Sequence, residues 1–115
     1  MQQIQNDPVF VQFKAPKYGF RAMAKILRSY KNRGLTTIRK IISTYAPSSE
    51  NDTEVYINFV AKQLNVNPDT QLNVEAKLFP LIKAIGRFEI GPLFNSVYNE
   101  TDIQHGIALA WMVNC

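Results

Sequence analysis

Apolar residues recur at helical spacing along most of the 115-residue chain. In APKYGFRAMAKILRSYKNRG, residues 15–34, Phe20, Met23, Leu27 and Tyr30 fall on one face, and Gly34 supplies a natural stop. TTIRKIISTYAP, residues 36–47, repeats the pattern with Ile38, Ile41, Ile42 and Tyr45. It ends before Pro47, whose predecessor is biased out of the helical region. In SSENDTEVYINFVAKQLNV, residues 48–66, Asn51 and Glu54 have capping-box spacing, and Tyr56, Phe59, Val60 and Leu64 form the apolar stripe. NVNPDTQLN, residues 65–73, is a turn-rich loop. VEAKLFPLIKAIGRFEIG, residues 74–91, predicts a fourth helix that Pro80 either starts or kinks. TDIQHGIALAWMVN, residues 101–114, opens with a Thr101/Gln104 capping box and carries Ile103, Ile107, Ala110 and Trp111. Strand-like alternation is confined to VFVQF, residues 9–13, so residues 1–15 are expected to form an extended arm.

The expected architecture is all-α: one compact domain, residues 1–115, of about five helices. Phe20, Met23, Leu27, Phe59, Val60, Ile82, Ile85 and Trp111 are expected in its core. A hydrophobic content of 46% with 19% charged residues suits a soluble globular fold rather than a disordered one. No apolar run approaches the roughly 20 residues of a membrane helix, so membrane insertion is not expected. The start, MQQIQNDPVF, has no cationic region followed by an apolar one, so synthesis and residence in a reducing cytoplasm is the plain expectation. The lone cysteine, Cys115, permits no intrachain disulfide.

Charge adds a polarity to this picture. The first forty residues hold nine bases against the single acid Asp7, a balance of +8. The other 75 hold four bases and eight acids, a balance of −4. Such asymmetry fits an anionic partner on one side, or two halves that attract each other. Within the basic half, Lys17, Arg21, Lys25 and Arg28 lie at i, i+4, i+8 and i+11, one face opposite the apolar stripe. They are the candidate binding residues; a solvated surface face is the plainer alternative. A nucleic-acid partner is weakly supported, since no helix-turn-helix signature is present and Tyr18, Phe20 and Tyr30 are expected mostly on the core side.

Glu89 is the other candidate. Leu78, Ile82, Ile85 and Glu89 share one helical stripe, which places a carboxylate where the core should be. Apolar surroundings and a helix C-terminus both disfavour its charged form, the condition required of a general acid in glycoside cleavage. The alternative is a structural ion pair with Arg87 or with the basic first helix, in which case Glu89→Gln should lower the melting temperature. His105 is the only histidine and is expected on a helix surface, so no metal site is expected. No serine elbow, phosphate loop or dinucleotide fingerprint is present, and no cofactor is implied.

DPVFVQFKAPKYGFRAMAKIL (7–27), GLTTIRKIISTYAPSSENDTEVYINFVAKQLNV (34–66), LIKAIGRFEIG (81–91) and TDIQHGIALA (101–110) together resemble a family of phage and prophage virion structural proteins. That family is similar in pattern to lysozyme-like muramidases, and the F-x-x-F, proline and G-x-R-A succession of residues 10–22 resembles the substrate-groove half of phage glucosaminidases. The resemblance implies a lysozyme-like helical core and a place in the virion. Family members begin earlier, with an Asn- and Pro-rich segment, so by this comparison the chain is shortened at its N-terminus. Where the family reads His-Glu-Asn-Gly, this chain has Phe88, Glu89, Ile90 and Gly91: the acid is kept and its polar neighbours are replaced. The resulting expectation is a phage-derived binding or virion structural component on a degenerate lysozyme-like scaffold, with a host protein, a virion protein or peptidoglycan as partner. Two alternatives stand beside it: a peptidoglycan hydrolase using Glu89, and a small inhibitor of a host or defence protein.

Overall fold

A computed structural model describes residues 16–46 and 50–112. Five helices of eight residues or more account for most of them: α1 (Pro16–Asn32), α2 (Ile38–Tyr45), α3 (Glu50–Leu64), α4 (Leu78–Ile90) and, after the single-turn α5 (Phe94–Val97), α6 (Glu100–Met112). A 3-10 turn at Glu75–Lys77 leads into α4. No strand occurs among the described residues. The expected extended arm, residues 1–15, lies outside the described residues.

Local chemistry explains most of the helix ends. Gly34, with φ +84°, closes α1: its N–H bonds Lys31 O at 3.0 Å and the next N–H, of Leu35, reaches back to Tyr30 O at 2.9 Å. Asn65, with φ 58°, closes α3 by the same pair of bonds, to Lys62 O at 3.1 Å and from Val66 to Ala61 O at 3.0 Å. Asparagine tolerates this left-handed conformation better than other residues that carry a Cβ. Thr37 caps α2 by accepting from Lys40 N at 3.2 Å. Pro80 sits in the first turn of α4, where its missing N–H costs no helical bond.

Three expected boundaries shift. The segment before α4 begins as the 3-10 turn, capped by Asn73, which accepts from Ala76 N at 3.2 Å. Helix α6 starts at Glu100 rather than Thr101, and Asn99 accepts from Asp102 N at 2.9 Å. Helix α3 starts at Glu50, so Asn51 lies inside it, and Glu54 turns to Arg39 instead of back to a cap. Helix α5 had no periodic signal because four residues are too few to display one.

The core joins every long helix. Phe20, Met23 and Leu27 of α1 are buried with Ile38, Ile41 and Ile42 of α2, Val60 of α3, Leu81, Ile82 and Ile85 of α4, and Ile103 of α6. Phe59 is only partly buried, and the Trp111 side chain lies outside the described residues. Helix α1 crosses α6 at Gly106, where an added Cβ would stand 2.8 Å from Lys17 O and 2.7 Å from Arg21 N. Gly86 of α4 admits the Phe94 ring; a Cβ there would come within 2.7 Å of Cζ. Phe94 in turn packs edge-on against Phe20, with centroids 6.3 Å apart. No helix among the described residues is long and apolar enough to cross a membrane.

Candidate functional site

Glu89 lies half-buried in the last turn of α4, which Gly91 terminates with φ +91°. The side chain crosses to α3, where the Tyr56 hydroxyl donates to Glu89 Oε2 at 2.9 Å. Phe88 stacks on the Tyr56 ring, centroids 3.9 Å apart and planes 17° apart, and leans on Phe59 at 5.4 Å. The expected ion pair with Arg87 or with α1 is therefore replaced by a bond to a neutral phenol. Arg87, two residues earlier on α4, lines a depression with Gln63, Phe79 and Lys83. Two positions are about 200° of helical turn, which is why the pair cannot meet.

Burial raises the Glu89 pKa above the ordinary carboxylate value, and the Tyr56 hydrogen bond offsets part of that rise. Neither cause is a second carboxylate. Tyr45 of α2 is raised by burial first and then by the negative charge of Glu89; its hydroxyl donates to Met23 Sδ at 3.4 Å. Tyr56 is raised in the same order of causes. Tyr45 and Tyr56 were read from the sequence only as members of apolar stripes. The signal that could have identified Tyr56 as the partner is the phenol itself, since a tyrosine on a buried stripe still requires a partner for its O–H.

The basic stripe divides. Tyr18, Arg21, Ala22 and Lys25 line an open depression of about 540 Å³ on α1, and Lys17 Nζ lies 5.4 Å from the Tyr18 ring centroid. Tyr18, expected on the core side, is 43% exposed, so an aromatic ring stands among these cations. Arg28 leaves the group. Its guanidinium clamps Glu75 with Nε to Oε1 at 3.0 Å and Nη2 to Oε2 at 2.9 Å, and Nη1 reaches Ala110 O at 3.4 Å. Arg28 holds the Glu75 carboxyl below its usual range, with burial opposing and Lys31 adding to the effect at 3.8 Å. His105 is exposed on α6, and among the described residues no three His, Cys, Asp or Glu side chains gather as metal ligands.

Over 70 residues the chain is 50% identical to Protein P5 of Pseudoalteromonas phage PM2, a stretch covering 60% of this chain and 44% of that protein. The chain thus spans less than half the length of the relative it matches. No family model matches the chain. The match supports a phage origin. The lysozyme-like part of the resemblance rests on the sequence pattern alone.

Proposed function

We propose that this phage-derived chain works by binding, as a virion structural component or accessory protein, and that its α1 face docks on an acidic surface of a virion or host protein. The observation that carries this reading is the occupation of the one candidate catalytic carboxylate. Glu89 is engaged by Tyr56, whose ring is stacked by Phe88, in a tie between two core helices. Glycoside cleavage ordinarily employs two carboxyl groups flanking the bond, and among the described residues the side-chain hydrogen-bond partner of Glu89 is the Tyr56 phenol rather than another carboxyl group. Lys17, Arg21 and Lys25, with Tyr18 among them, supply what the reading requires of a docking face: cations to steer encounter and an aromatic ring to anchor it. Arg28 belongs to the fold rather than to this face.

The test compares wild type with the triple variant Lys17→Glu, Arg21→Glu, Lys25→Glu in sedimentation with purified virion proteins and with host lysate. The reading predicts a salt-sensitive partner retained by wild type and lost by a variant whose far-ultraviolet circular dichroism is unchanged. Equal retention by both proteins contradicts it. One observation favours a second reading, hydrolysis of peptidoglycan: burial raises the Glu89 pKa, as a general acid needs. That reading requires bond cleavage that disappears with Glu89→Gln. The role of small inhibitor is a special case of the docking face in which the acidic partner is a host or defence protein.

A further inference from the structure

The depression between α3 and α4 holds a cation that makes no ion pair among the described residues. It has a volume of about 240 Å³ and is lined by Gln63, Phe79, Pro80, Lys83, Ala84 and Arg87. Lys83 and Arg87 stand one helical turn apart, yet their circumstances differ. Lys83 Nζ is committed to Glu100 Oε2 at 2.6 Å and lies 5.9 Å from the Phe79 centroid. Arg87 is half-buried, and its guanidinium makes no ion pair or hydrogen bond among the described residues. The guanidinium presents a rigid fork of donors to whatever enters beside it.

The geometry points to a subsite for a carboxylate that carries an apolar flank. Arg87 would grip the carboxylate through two parallel N–H donors, the arrangement in which arginine surpasses lysine. The Gln63 amide, which lines the depression from the facing helix α3, would donate to the same oxygens or to a neighbouring carbonyl. Phe79 and Pro80, both half-buried, form the apolar wall against which a methyl or ring face would rest. The volume admits one small residue or one end of a sugar rather than a folded surface. Two sources share this chemistry: the C-terminal carboxylate of a peptide, and a carboxyl-bearing sugar. Lys83 lends long-range attraction, weakened by its pairing with Glu100. The site is independent of the α1 face, so either can fail without the other.

The test is a nuclear magnetic resonance titration of the ¹⁵N-labelled full chain. The probes are N-acetyl-alanyl-alanine, N-acetylmuramic acid, the uncharged amide of the dipeptide, and inorganic phosphate. We expect saturable shifts at the Arg87 Nε–H and Gln63 side-chain amide signals with at least one carboxylate, and none with the amide. Response to one carboxylate alone identifies the source; response to both leaves the class as stated. Arg87→Gln should weaken binding at least tenfold, and Arg87→Lys, which keeps the charge without the fork, should weaken it nearly as much. The proposal is overturned by silence toward both carboxylates, or by equal response to the amide or to phosphate. Unchanged affinity in Arg87→Gln overturns it as well. The amide and phosphate comparisons use wild-type protein and need no variant to fold.

Discussion

Glu89 can be removed in two ways that separate its charge from its shape. Because burial raises its pKa in the folded state, the fold favours the protonated acid. Its contribution is most favourable below the unfolded value of about 4.3 and declines as pH rises from there through the higher folded value. Glu89→Gln keeps an oxygen to accept from Tyr56 and removes that penalty. Its melting temperature should therefore equal or exceed that of wild type at pH 7, with the difference shrinking toward pH 4. This reverses what an ion pair would have required. Glu89→Ala instead strands the Tyr56 hydroxyl and should cost about 1–3 kcal/mol. Thermal melts of the three proteins across pH 4–8 check both statements. The sequence showed that a carboxylate interrupts an apolar stripe; it did not show the partner, because Tyr56 lies 33 positions away on another helix.

Helix identity was legible from periodicity, whereas helix junctions depended on single residues. The stripes of α1 and α2 matched the observed burial because Phe20, Met23, Leu27, Ile38, Ile41 and Ile42 have nowhere else to go. Glycines at crossings gave no such signal, since a missing side chain creates no pattern. Gly106→Ala should cost about 3 kcal/mol or more, because the added methyl meets the backbone of α1 at Lys17 and Arg21, and backbone yields less than a side-chain end. Chemical denaturation with an unchanged m-value would register it. At the α3 terminus, Asn65→Gly should be neutral or slightly stabilising and Asn65→Val destabilising, since only the first accepts φ 58° without strain. Replacing Arg28 by glutamate sets two carboxylates against each other between α1 and the start of α4. It should lower stability by on the order of 2 kcal/mol, where Arg21→Glu stays within about 0.5 kcal/mol.

For the molecule as a whole, the charge asymmetry resolves into two uses. Arg28 and Lys31 pair with Glu75, and Arg39 pairs with Glu54 and Asp69, so basic residues of the first forty tie down acidic residues of the remainder. The α1 face with Lys17, Arg21 and Lys25 carries the proposed docking role. Sequence spacing alone placed Arg28 with that face, because one helical wheel cannot reveal that Glu75 and the end of α6 converge on its last turns. The proposal that this phage-derived scaffold binds without hydrolysing is tested by the turbidity of purified peptidoglycan incubated with wild type and with Glu89→Gln. Neither protein is expected to clear the suspension. Clearing by wild type, lost in a Glu89→Gln protein that melts at the same temperature or higher, would contradict it.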